Sequence, residues 1–128
     1  ASDVYKRQII HHRKLYLKTG GANLRGADHL EYTGAPGEIP NLAVIRFHLH
    51  PKVTAAMLAN GSVLMKIRGS RVGWNFKADG AIAEIDNSVY FEDGVRQSSQ
   101  QIVLKAVIND IRTTGLHEVR WAFSRGTQ

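Results

Sequence analysis

From Ile9 to Ser124, apolar and polar residues alternate in short runs separated by glycine-centred turns. That pattern constrains the fold more than any other feature. Successive side chains of a strand point to opposite faces, so a period of two writes one apolar and one polar face. The clearest run is AVIRFHLHP, Ala43 to Pro51. Ala43, Ile45, Phe47 and Leu49 fall on one face, and Val44, Arg46, His48 and His50 on the other. Pro51 has no N–H to donate and closes the strand. Gly20-Gly21, Asn60-Gly61, Asp79-Gly80 and Asp93-Gly94 are turn signals of the kind that join antiparallel neighbours.

Strands are expected over 9–18, 24–32, 43–50, 62–68, 72–77, 82–86, 88–91, 99–107 and 117–124. Val53, Ala56 and Met57 stand at helical spacing, so 53–59 reads as one short helical turn or a loop. Residues 126–128 read as a frayed tail. Nothing alternates strand with helix. The fold class that follows is all-β, an antiparallel β-sandwich.

The bulk properties fit one domain. The chain has 128 residues, 43% hydrophobic and 22% charged, which suits a packed core rather than a disordered chain. There is no cysteine, so disulfides and thiolate metal sites are excluded. No apolar run reaches the ~18 residues of a membrane span. The net charge of +6 favours anionic partners. No long Lys/Arg block and no nucleic-acid motif occur, so nucleic acid is not the expected partner.

Asp3 to Gln8, DVYKRQ, resembles the translation of a transposase mosaic-end adapter, and no initiator Met precedes it. Residues 1–8 are therefore expected to be a non-native extension, with the domain proper at 9–125. Without Asp3, Lys6 and Arg7 the net charge falls from +6 only to +5. On this reading the chain is the C-terminal piece of a longer one.

Several segments, taken in order, resemble the C-terminal β domain of bacterial heparinase II/III-like proteins, in particular alphaproteobacterial ones. They are IIHHRKLYL (Ile9 to Leu17), NLRGADHLEYTG (Asn23 to Gly34), IRFHLHPKV (Ile45 to Val53), GWNFKADG (Gly73 to Gly80), IDNSVYF (Ile85 to Phe91), SSQQIVL (Ser98 to Leu104) and VRWAF (Val119 to Phe123). The resemblance implies part of a polysaccharide lyase: a helical N-terminal domain followed by a large antiparallel sandwich. It implies cleavage of uronic-acid polysaccharides by β-elimination, in which a base takes the proton beside the carboxylate and an acid protonates the leaving oxygen. The family's Tyr, His and Asn that do this lie mostly upstream, so no catalytic residue is carried over and the chain alone is expected to be inactive. The resemblance also implies an acidic polysaccharide and the helical domain as partners, and a periplasmic or cell-envelope location. The rival reading is a non-catalytic carbohydrate-binding or structural sandwich.

Arg46, His48 and His50 are the candidate substrate-binding row, since Arg can hold a carboxylate or sulfate through two bonds. His48 and His50 are also a weak zinc pair, their third ligand to come from Asp28, His29 or Glu31. No metal or other cofactor is expected, because His-x-His alone is undemanding. The competing role for Arg46 is a cross-strand ion pair with Asp28 or Glu31. His11 and His12 point to opposite faces, one packed and one solvated. Trp74 and Trp121 read as core rather than sugar platforms. Tyr16, Tyr32 and Tyr90 have the chemistry of a base but no visible partner. Lys66, Arg68 and Arg71 gather at a hairpin and form either an anion patch or a solvated turn.

Overall fold

The computed structural model of the chain describes residues 8–18 and 20–127. Most of the extension expected at 1–8, and Gln128 of the expected tail, lie outside the described residues. The elements are β1 (Ile9–Leu17), β2 (Asn23–Tyr32), β3 (Leu42–His48), β4 (Val53–Met57), β5 (Val63–Ile67), β6 (Val72–Asp79), β7 (Ile82–Glu92), β8 (Val95–Val107), a one-turn helix α1 (Ile111–Thr114) and β9 (Leu116–Thr127). They form two antiparallel sheets. The large sheet has the order β1-β2-β9-β6-β5-β4 and the small one β3-β8-β7. The all-β sandwich expected from the period-two pattern is the observed architecture.

Several strands bury alternate residues, while β8 buries Gln101 to Leu104 in succession and β1 buries none. β2 buries Gly26, Asp28 and Leu30, and β9 buries Val119 and Trp121 beside them. From the small sheet come Ile45, Ala83, Ile102, Leu104 and Ala106. Phe47 of β3 joins the layers, its ring 4.8 Å from Trp121, 5.5 Å from Phe76 and 5.7 Å from Phe123. Such tilted and edge-on aromatic pairs add to plain burial.

Gly26 pairs with Trp121 across the β2–β9 ladder, and a Cβ on it would sit 2.1 Å from the Trp121 ring. Glycine at this point lets the indole lie flat on β2. Gln100 of β8 reaches the large sheet, accepting from the Ala55 N–H at 2.8 Å and donating to the Ala55 carbonyl at 3.2 Å. One side-chain amide thereby satisfies both backbone groups of Ala55 at the edge strand β4.

Four expectations are corrected. Residues 53–57 form β4 rather than a helical turn, because Ala55 faces the core and the segment pairs with β5 from Val53↔Ile67 to Met57↔Val63. The two strands expected at 82–86 and 88–91 are one strand, β7, paired with β8 along its whole length. Gly126 and Thr127 do not fray; they pair with Gly73 and Val72 of β6. Strand β3 ends at His48, with His50 in the following turn. Helix α1 was not foreseen. It turns the chain from β8 to β9, buries Ile111, and ends at Gly115 with φ of 80°.

Candidate functional site

The outer face of the large sheet is concave across β1, β2, β9 and β6. Twist curves a sheet, and small residues in the middle deepen the curve. Ala27 of β2 and Ala122 of β9 are those residues, and around them lies an open trough of about 920 Å³. Its rows follow from the strand register. One row runs Tyr16–Arg25–Ala122–Lys77, and the next Lys14–Ala27–Arg120–Asp79. A third row places His29 between His12 and Glu118. The walls thus carry four cationic side chains, Lys14, Arg25, Lys77 and Arg120, against two carboxylates, Asp79 and Glu118.

The carboxylates do not neutralise these cations equally. Glu118 accepts from Arg120 Nε at 2.6 Å and bonds His29 Nε2 at 2.5 Å. Partial burial pushes the Glu118 carboxyl up, but the hydrogen bonds from Arg120 and His29 outweigh that and hold it below the ordinary glutamate value. Among the described residues Arg25 donates to the neutral Asn23 Oδ1, at 3.2 Å. Among the described residues no carboxylate pairs with Lys14, Arg25 or Lys77. Tyr16, 58% exposed, stands beside Arg25 and offers a ring face. An exposed aromatic flanked by free cations suits a ligand that has sugar C–H faces and carboxylate or sulfate groups.

Beneath the trough, on the inner side of the same strands, lies a buried carboxylate. Asp28 is fully buried and accepts from Arg13 Nε at 2.7 Å, Arg13 Nη2 at 3.2 Å and Trp121 Nε1 at 2.8 Å, and bonds His11 Nε2 at 2.7 Å. Burial alone would raise its carboxyl, but the bonds from Arg13, His11 and Trp121 together win and lower it. Arg13 also covers the Phe47 and Trp121 rings, 5.5 and 5.6 Å from their centroids. This cluster is a staple between β1, β2 and β9.

The residues singled out in the sequence are distributed as follows. Arg46 and His48 leave the outer face of the small sheet, and His50 follows in the turn; all three are exposed. Each has a neighbour of its own. Arg46 donates to Gln101 Oε1 at 3.2 Å, His48 Nδ1 bonds Ser88 Oγ at 2.8 Å, and the His50 ring lies 4.8 Å from Tyr90. The ion pair of Arg46 with Asp28 or Glu31 does not form, because β3 pairs with β8 and those acids belong to β2 in the opposite sheet. For the same reason Asp28, His29 and Glu31 do not complete a zinc site with His48 and His50. Among the described residues no three His, Asp or Glu groups could hold a metal ion.

His11 and His12 do face opposite ways, but both are exposed; His11 is held by Asp28 rather than packed. Trp121 is core, and Trp74 packs against the core. The Tyr32 hydroxyl donates to the Ala35 carbonyl and accepts from Arg112. Lys66, Arg68 and Arg71 are exposed around the β5–β6 turn and do not join the trough. The trough itself went unseen in the sequence. The one signal for it was the polar face Lys14-Tyr16-Lys18 of the first strand; its other walls come from β2, β6 and β9.

The chain is thus a two-sheet antiparallel β-sandwich presenting a cationic, aromatic-flanked outer face. The family model described as heparinase II/III-like, C-terminal, matches residues 1–122, and the chain belongs to that family. It is 32% identical over 124 residues to FtsZ-localized protein C of Caulobacter vibrioides (strain NA1000 / CB15N). That match covers 91% of this chain and 21% of the relative, so the chain spans about a fifth of the relative's length. No solved structure matches.

Proposed function

We propose that this chain is the C-terminal β-sandwich portion of a polysaccharide lyase acting on uronic-acid polysaccharides by β-elimination, and that its own task is to hold the polymer. The observation that carries this is the row Tyr16–Arg25–Ala122–Lys77 across the trough, an exposed ring and two cations that have no carboxylate partner among the described residues, on a floor of alanine. Family membership supports the polysaccharide reading. We place the polymer in the trough rather than on the Arg46–His48–His50 row because the trough gathers several cations and an exposed ring around one open concavity. Proton abstraction and leaving-group protonation belong mostly to the helical domain and to the first part of the sandwich, and the whole protein works in the periplasm or cell envelope.

The test compares this chain with a longer protein that carries it. Both are expected to bind a uronate polymer in affinity electrophoresis, and only the longer one to release unsaturated product, read by its ultraviolet absorbance. Turnover by the chain alone would reverse the division of labour. Binding by both without product from either would leave a carbohydrate-binding module and remove the lyase. A second reading rests on the relative's name: a protein carrying this chain is positioned with FtsZ. A fluorescent fusion that stays diffuse while FtsZ forms its ring would discard that reading.

A further inference from the structure

The four cations of the trough alternate between two rows, strand by strand. On β1 the cation is Lys14, in the row Lys14–Ala27–Arg120–Asp79. On β2 it is Arg25, in the row Tyr16–Arg25–Ala122–Lys77. On β9 it returns to the first row as Arg120, and on β6 to the second as Lys77. The other place on each strand is held by Tyr16, Ala27, Ala122 or Asp79, none of them cationic. Neighbouring strands lie about 4.8 Å apart, and same-face residues about 7 Å apart along a strand, so the cations trace a zigzag that crosses the sheet at one step per strand. All four cationic side chains are exposed. Arg120 gives its Nε to Glu118 and Arg25 gives its Nε to Asn23, which leaves the Nη side of each guanidinium fork for an acid group.

We propose that the polymer crosses the strands, one sugar per strand, with its acid groups falling alternately into the two rows. This rests on the binding of a uronate polymer in the trough and assigns its direction and register. A 1,4-linked pyranose chain in its flat, two-fold form advances by about one ring length per sugar, close to one strand spacing. It also turns successive carboxylates to opposite sides, so each meets the cation of the strand beneath it. A polymer laid along the strands would not find this match. On β9 it would pass Glu118, Arg120 and Ala122 in turn, and on β6 Lys77 and then Asp79. Asp79 is the specificity-determining residue for the register. It repels an acid group that slips into the first row on β6, while Lys77 attracts one in the second.

Titration calorimetry with a 1,4-linked oligouronate of four sugars tests this on exchanges that keep the net charge. Lys77→Asp with Asp79→Lys moves one cation to the other row; both side chains are exposed, and circular dichroism checks that the sheets persist. Arg25→Ala with Ala27→Arg does the same on β2. Each exchange is expected to bind at least about tenfold more weakly than wild type. If Ala27→Arg costs the fold, the exchange on β6 decides alone. On wild type, affinity should climb with each sugar from two to four, as each reaches a further strand. Exchanged chains that bind as tightly as a binding wild type overturn the crossing register and leave a diffuse cationic surface. An affinity that stays flat from two sugars to four overturns it too. A wild type that does not bind the oligouronate at all removes the binding role of the trough, and this register with it.

Discussion

Asp28 carries the largest electrostatic stake of any single residue in this fold. It is fully buried, and its two oxygens are met by Arg13, His11 and Trp121. Replacing it by alanine strands the Trp121 N–H and leaves Arg13 without its counter-charge. Arg13 keeps part of its surface in water, so the cost sits near the lower end for a broken buried pair, about 3 kcal/mol. Urea unfolding of Asp28→Ala, followed by tryptophan fluorescence, should give an unfolding free energy lower by that amount and a correspondingly lower midpoint; an unchanged midpoint would remove the staple from the account. The pH dependence has a definite sign. The folded-state pKa of Asp28 lies below its unfolded value of ~3.9, so its contribution is present above that pH. As pH falls through the folded pKa, the unfolded chain takes up the proton first and stability is lost. Thermal melts below about pH 4 should therefore fall more steeply for wild type than for Asp28→Asn; parallel curves would contradict this. None of it was legible beforehand. The sequence offers Asp28 only as one of two partners, with Glu31, for the competing ion pair of Arg46. The partner of β2 is instead β9, some ninety residues away, and that distance brings Trp121 to it.

At the scale of elements, the period-two signal located most strands and failed where local spacing was ambiguous. Val53 to Met57 satisfies both a helical and an extended reading, and pairing with β5 decided for the strand. The β7–β8 hairpin was underestimated because Asn87 and Ser88 resemble a break, whereas their backbones pair with Gln100 and Ser99. Gly26 lies inside the strand expected over 24–32, and its role depends on an indole from β9 that no local pattern announces. Gly26→Ala would force a methyl group into the Trp121 ring, which carries the Asp28 bond and rests against Phe47. The expected loss is about 1–3 kcal/mol, the usual range for overpacking a filled site. Tryptophan fluorescence should change with it, and a variant as stable as wild type with an unshifted spectrum would contradict the packing described here.

For the whole molecule, the decisive feature is that six strands face three. The small sheet covers the middle and one flank of the large one, and β1 with part of β2 projects beyond it. The projecting part keeps Leu15 and Leu17 largely exposed on its inner side and lends Lys14 and Tyr16 to the cationic trough on the outer side of the sheet. The fold class and the family were legible from the order of short motifs, but the trough was not. Its walls come from four strands, and strand order in an antiparallel sandwich is not written in local periodicity. The net charge of +6 said that cations exceed anions, while only the register gathers Lys14, Arg25, Lys77 and Arg120 around two alanines. At this scale the account predicts that binding of a uronate polymer weakens steadily with added salt, since its contacts are charged and lie on an open surface. A neutral glucan of similar length should not compete.

The central claim is that the trough, and not the row on the small sheet, holds the acidic polymer. Titration calorimetry with a uronate oligosaccharide tests it most directly, on wild type, on Arg25→Glu with Lys77→Glu, and on Arg46→Glu. The account predicts that the double variant binds at least about a hundredfold more weakly, roughly 2.7 kcal/mol, while Arg46→Glu stays within a factor of about two of wild type. A double variant that binds as wild type does, beside an Arg46→Glu chain that has lost affinity, would contradict it.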